Sequence, residues 1–304
     1  MSTFNNRVYG AAIIKSINSN YNADFSGQPR KLPNGIVYAT DKALKYSIRN
    51  FWKNAMEEKV FYFKSLSEEM SPRTLDETYK LHFGNFNGKD KSPALRLEVL
   101  SNLLKCIDVK LFGGTYAGKT NISIHGTCQI THGLNKYTEN IIYTEQIMSP
   151  FKNSNEASAD STMTTLGTQS RLQEGHYVHH YSVNPKNIVD DVKRTGGEGL
   201  TTEDIVKLKE GLRKGATYYD SSAKAGTENE LLLWIQLKPE SKTVLPSFVS
   251  LIEITENKEI DLSKVSALLS EDHIKSEVET IEIYYNKSNT NVLAEPTGAI
   301  FIEL

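Results

Sequence analysis

Gly113-Gly114-Thr115-Tyr116-Ala117-Gly118-Lys119-Thr120 matches in full the phosphate-cradling pattern G-x-x-x-x-G-K-[ST]. The pattern binds nucleotide only between a strand and a helix. There the loop amides and the helix N-terminus point at the phosphates, and the lysine reaches their outer oxygens. Before the octet, Cys106-Ile107-Asp108-Val109-Lys110-Leu111-Phe112 alternates and runs into glycine, which predicts a strand. After it, Asn121-Ile122-Ser123-Ile124-His125-Gly126 alternates polar and apolar with period two, which predicts a second strand. No helix follows, so the octet reads as a glycine-rich turn between strands and the nucleotide site fails.

Outward from that turn, Val8 to Ile17 is apolar with small residues and predicts a first strand. A loop from Asn18 to Asn34 follows, dominated by turn formers. Thr40 or Asp41 caps a helix running to about Glu58, with Leu44, Ile48, Phe51, Trp52 and Ala55 on the buried face. Lys42, Lys45, Arg49 and Lys53 recur at steps of three and four on another side. That basic stripe is either a solvated face or a phosphate-contacting one. Residues 60–100 are poorly periodic, and Leu95 to Ile107 reads as a short helix.

Strands are expected at Asn121–Gln129 and around Asn140–Ile147. Ser149 to Glu174 is too polar to be core and reads as a projecting arm. His176–Val183 is a strand, and Thr201 opens a helix with Asp204 completing a weak capping box. Ser221 to Gly226 is a loop; Glu230–Lys238 is apolar on both faces and belongs at the centre of a sheet. Phe248–Ile254, Ile281–Tyr285 and Ala299–Ile302 add later strands. The order is that of an α+β, ferredoxin-like chain.

Length and composition bound the function. A chain of 304 residues is one elaborated domain or two, and a hydrophobic share of 38% implies extensive polar surface. The net charge of −2 gives no global field for nucleic acid, so any such contact comes from local basic stripes. No apolar run is long enough to span a membrane, and Met1 to Arg7 lacks the apolar core of a signal peptide. A cytoplasmic protein is expected, with Cys106 and Cys128 as buried thiols in strands. No cofactor is implied. His176, His179 and His180 put two imidazoles on one strand face, but nothing else stands at metal-ligand spacing. His125 and His132 are the residues able to act as general base in a metal-free ribonuclease.

Several segments, in order over roughly residues 7–238, carry a resemblance. Asn22-Ala23-Asp24-Phe25-Ser26-Gly27-Gln28-Pro29-Arg30 resembles the asparagine-acid-glycine-proline-basic loop of the backbone subunit of type I CRISPR Cascade complexes. Thr40-Asp41-Lys42-Ala43-Leu44-Lys45, with Arg49 beyond, is similar to that family's helix start. Asp108 to Gly113, Gly126 to Ile130, Leu166 to Gln169 with Gly175 and Tyr177, and Ser222 to Gly226 resemble later family segments. The spacing looks nearest to subtype I-B, and residues 239–304 carry no motif. Ala23 and Gln28 stand where relatives often have a basic residue, and Asp41 stands where a hydroxyl is usual.

The resemblance implies a non-catalytic subunit: one RAMP-type domain over residues 1–304, with a ferredoxin-like, RNA-recognition-type palm. Fingers would be inserted near 60–105 and a thumb near 149–175, with 239–304 completing the palm. Copies would stack along a CRISPR guide RNA (crRNA) and present it to target DNA, beside a large subunit, a guide-handle subunit and a guide-processing subunit. Asn20, Asn22, Arg30, Lys31, Thr40, Lys42, Lys45 and Arg49 would face the RNA, with Gln129 and His132. Gly167, Thr168, Gln169, Arg171, Ser222 and Lys224 would join them. Met163, Leu166 and Leu172 would either wedge an unstacked base or pin the arm to its own palm. The alternative is a CRISPR-repeat endoribonuclease of the same superfamily.

Overall fold

Twelve residues of mostly small and branched side chains, Val8–Ser19, form β1, hydrogen-bonded on both edges. The computed structural model describes residues 2–138, 141–148 and 166–304. After β1 come β2 (Tyr38–Ala39), α1 (Asp41–Ala55), α2 (Leu75–Phe83), α3 (Pro93–Leu103) and α4 (Ile107–Phe112). Short strands follow: β3 (Gly114–Ala117), β4 (Asn121–Ile124), β5 (Cys128–Ile130), β6 (Gly133–Asn135) and β7 (Ile142–Met148). Then come the long β8 (Leu166–Val183), α5 (Val189–Thr195), α6 (Thr202–Tyr218) and β9 (Thr227–Leu237). The C-terminal part holds β10 (Glu253–Ile254), β11 (Ile260–Asp261), α7 (Ser263–Ser270), α8 (Asp272–Lys275), β12 (Val278–Tyr285), β13 (Val292–Leu293) and β14 (Ile300–Ile302).

The main sheet runs β14-β12-β9-β1-β8-β6-β2, with β5 and β7 also on β8. β1 is antiparallel to both neighbours, Ala12 facing His179 on one side and Leu232 on the other. The doubly apolar β9 sits between β12 and β1, inside the sheet as its composition requires. Alternation along β1 splits the core in two. Val8, Ala12 and Ile14 pack with Leu44, Ile48, Leu208 and Leu212 of α1 and α6. Tyr9, Ala11 and Ile13 pack on the opposite face with Phe248, Ile252, Leu262 and Val265. A third, smaller cluster joins Phe61, Tyr79, Leu95, Val99, Tyr116 and Ile124.

Several expectations are corrected. The run Ile107–Phe112 is helical, and all six residues are buried. Its polar alternates do not face water: Asp108 pairs with Arg49 at 3.1 Å and Lys110 with Asp204 at 2.9 Å. Interior ion pairs thus imitated a strand's period. The expected strand Asn121–Gln129 is two, in different sheets, broken at Gly126. Residues 60–100 hold an unexpected helix, α2, and the helix expected over Leu95–Ile107 is α3, Pro93–Leu103. From Leu166 the expected arm is already β8, and residues 149–165 lie outside the described part. Phe248–Ser250 is a 3-10 turn rather than strand. Cys106 precedes a helix instead of lying in a strand; it and Cys128 are buried free thiols.

Candidate functional site

Thr40 caps α1, its hydroxyl accepting from the Ala43 N–H at 3.3 Å. The Thr40 N–H and hydroxyl both donate to Asn22 Oδ1, at 2.9 and 3.0 Å, which ties the helix start to the loop after β1. In that loop Asn20 Nδ2 donates to the carbonyls of Gly27 (3.0 Å) and Ser170 (3.2 Å). Gln28 Nε2 donates to Ser170 Oγ at 2.5 Å, and Arg171 Nη1 to the Asn18 carbonyl at 2.8 Å. Gln169 Nε2 reaches the Ser222 carbonyl at 3.5 Å, and the Lys224 ammonium donates to the Tyr21 carbonyl. Burial lowers the Lys224 pKa to about 8. Four segments far apart in sequence therefore meet at one end of the sheet: the loop after β1, the start of α1, the root of β8 and the loop before β9.

The α1 cations do not form one stripe. Lys42 and Lys53 are exposed, but Lys45 is buried, paired with Asp41 at 3.0 Å and lying 5.6 Å from the Phe112 ring. Arg49 is held by Asp108, whose carboxylate also accepts from the Phe61 and Tyr62 amides at 2.8 and 2.9 Å. The phosphate-contacting reading of the stripe thus narrows to Lys42 and Lys53. His132 stands beside the start of α1, its Nδ1 accepting from the Asp41 N–H at 3.2 Å and its ring 5.6 Å from Tyr38.

The sequence model for CRISPR-associated protein Cas7 matches residues 6–274. The chain belongs to the Cas7 family. No curated protein matches it. Among solved structures, a chain of "CRISPR RNA-guided surveillance complex, pre-nicking" superimposes with a TM-score of 0.60 at 14% identity, covering 98% of this chain and 96% of that one. A chain of "CRISPR RNA-guided surveillance complex" gives 0.52 at 13% identity, over 95% of each. At such identities the likeness is one of fold, here a mixed α/β one.

Within this Cas7-family chain the remaining site residues divide. Arg30 donates through Nε to the Ala23 carbonyl at 3.0 Å, and Lys31 is exposed beside it. Gly167 and Thr168 are exposed on β8 opposite Ile147 and Gln146. Gln129 is brought elsewhere: it faces Ser182, at the opposite end of β8, and its amide donates to the His125 carbonyl. Leu172 is fully buried in the cluster holding Tyr21 and Tyr177, so it pins β8 to the sheet and is not free to act as a wedge. Met163 lies outside the described residues, as does the side chain of Leu166.

Two of the three histidines of β8, His176 and His179, are consumed by the interior, and His180 is half-buried. His176 pairs with Glu230 at 2.7 Å; His179 lies between the Thr131 carbonyl (2.9 Å) and the Tyr21 hydroxyl (3.3 Å), and burial lowers its pKa to about 4. Among the described residues, no three His, Cys, Asp or Glu side chains are grouped to hold a metal. No helix among them is long and apolar enough to cross a membrane. The octet 113–120 is not only a turn: it supplies β3 and the turn of the β3–β4 hairpin. Its Lys119 N–H donates to the Asp76 carboxylate at 3.0 Å, and the Lys119 ammonium pairs with Asp90 at 3.2 Å. An anion thus already holds the turn, and it belongs to the protein. Phe25, a large aromatic between the turn formers Asp24 and Gly27, stands exposed on the loop after β1.

Proposed function

We propose that this chain is a non-catalytic, cytoplasmic subunit that binds a CRISPR guide RNA, polymerises along it with further copies of itself, and presents it to target DNA. The observation that carries the reading is the convergence described above. Segments that resemble the family's RNA-contacting motifs are joined by hydrogen bonds across separations of 150 and 203 residues, Asn20 to Ser170 and Lys224 to Tyr21. Strands β9-β1-β8-β6, with α1 and α6 against one face, support a ferredoxin-like palm within a single domain. Residues 60–105 would be the fingers and 149–175 the thumb, with Met163 and Leu166 as wedge residues. Exposed Lys31 and Lys42, with Arg30, supply sequence-independent phosphate contact. The surveillance-complex likeness supports other subunits of such a complex as partners, and the resemblance of the motifs makes these a large subunit, a guide-handle subunit and a guide-processing subunit. The subtype I-B assignment rests on motif spacing.

The test is binding of single-stranded RNA of arbitrary sequence by the full chain over a salt series. Lys31→Ala with Lys42→Ala is expected to weaken binding and flatten the log K against log salt slope by roughly 0.7 per lost phosphate contact. An unchanged affinity and slope would remove these two residues from the interface. RNA that stays intact through long incubation agrees with a non-catalytic role; cleavage lost in His132→Ala would replace it with the endoribonuclease.

A further inference from the structure

Phe25 is fully exposed, at 105% the most exposed large hydrophobic side chain among the described residues. Burying such a ring is favourable, and a free loop could fold it back onto the protein. Here the loop is fastened. The Asp24 carboxylate accepts from the Ser26 N–H (2.8 Å), the Ser26 hydroxyl (2.7 Å) and the Gln28 N–H (3.0 Å). The Asp24 N–H donates to the Gln28 carbonyl at 2.8 Å, and Gly27 turns the chain at φ +81°. From inside, Asn20 grips the Gly27 carbonyl and Gln28 grips Ser170. The turn is therefore built onto the sheet, at the rim of the candidate site, with its one large apolar side chain pointing away.

The surroundings decide what such a ring would meet. The Arg30 guanidinium lies 5.9 Å from the ring centroid. Ser26, Gly27 and Lys31 are exposed and polar or bare, so no apolar patch continues from the ring along its own loop. A protein-docking surface buries an apolar core several residues wide. A nucleobase needs one ring face, and a cation beside it for the adjoining phosphate.

We propose that Phe25 is a stacking platform for one unpaired nucleobase of a bound RNA strand, with Arg30 meeting the neighbouring phosphate. The proposal rests on the RNA-binding reading and adds to it a base contact on the loop after β1. Stacking tolerates any base, which suits a strand of arbitrary sequence.

The experiment titrates the full chain, Phe25→Leu and Phe25→Trp with a single-stranded RNA oligonucleotide and with an abasic strand of equal length. Phe25→Leu keeps an apolar side chain of similar bulk on an exposed site, so folding is preserved, as an unchanged melting midpoint would show. It is expected to weaken RNA binding by roughly 5- to 150-fold, the range of one base–aromatic stack, with the salt slope unchanged. Phe25→Trp keeps wild-type affinity, and its added indole emission is quenched by RNA but not by the abasic strand. Wild-type affinity in Phe25→Leu, or an added indole emission that stays unquenched when the Phe25→Trp chain is bound to RNA, overturns the proposal and leaves RNA binding standing. Loss of self-association at unchanged RNA affinity also overturns it, making Phe25 a protein contact. A wild-type chain that binds no RNA removes both readings together.

Discussion

Arg49 shows how a side chain's role is settled by what stands opposite it. Its guanidinium faces Asp108, which is fully buried and accepts two backbone amides besides. Removing one partner of a buried pair leaves the other charge uncompensated, which costs far more than an exposed contact. Arg49→Ala is expected to lower stability by roughly 3 kcal/mol. Exposed Lys53→Ala should stay within about 0.5 kcal/mol of wild type. Urea unfolding of both variants checks this, and an unmoved midpoint in Arg49→Ala would show the pair idle and free Arg49 for phosphate. The helix of the candidate site and its cations were legible in sequence, since their spacing marked them. Which cations face solvent was not legible, because the partner of Arg49 lies 59 residues away. Asp41, four residues before Lys45, was the one local clue, and its pairing with that lysine is the ordinary helical one.

At the scale of elements, α4 and β4 explain why one strand of the hairpin was legible while β3, inside the octet read as a turn, and the flank before it were not. Period two is a fair sign of a strand only when the polar positions meet water, as Asn121 and Ser123 do in β4. In α4 they meet buried counter-charges. The helix α2 left a signal that periodicity missed, the capping box of Thr74 and Glu77, and the start of α3, expected near Leu95, is marked by Ser92 as cap with Pro93 in its first turn. The chain then passes between layers at two glycines that touch. Gly113 ends α4 at φ +70°, and Gly126 separates β4 from β5 at φ +68°. A Cβ on Gly126 would run into the backbone of Leu111, Phe112 and Gly113. Gly126→Ala therefore carries a steric clash with backbone on top of the left-handed penalty, and should cost roughly 3 kcal/mol or more. Gly298→Ala is the control, with φ +82° and open space around it, and should cost only about 1 kcal/mol. Equal losses in the two variants, compared by thermal unfolding, would mean that the contact between the glycines is not tight.

For the whole molecule, the second face of the sheet decides both the route of a bound strand and the extent of the folding unit. An RNA-recognition sheet stacks bases on the face away from its helices. In this chain Phe248, Ile252, Leu262, Val265 and Leu269 fill that face, packing on Ile13, Leu233 and Ile235. On the proposed RNA-binding reading, a strand is left the ends and edges of the sheet, where the loop after β1 and the start of α1 stand. The motifs stop near residue 238, yet the Cas7 sequence model runs to residue 274, through α7 and into the covering layer. A chain cut after residue 238 would expose the apolar face of β9 and β1 and strip β12 from the β9 edge. Such a face far exceeds the apolar patch a soluble monomer tolerates, and the bare edge invites pairing with another chain. The 1–238 chain is expected to aggregate or to bind hydrophobic dye without a cooperative thermal transition, while the full chain melts cooperatively. A soluble 1–238 chain with a sharp transition and wild-type RNA affinity would show that residues 239–304 form a separate unit. The sheet face would then be open to nucleic acid, and the path proposed along its end would lose its main physical reason.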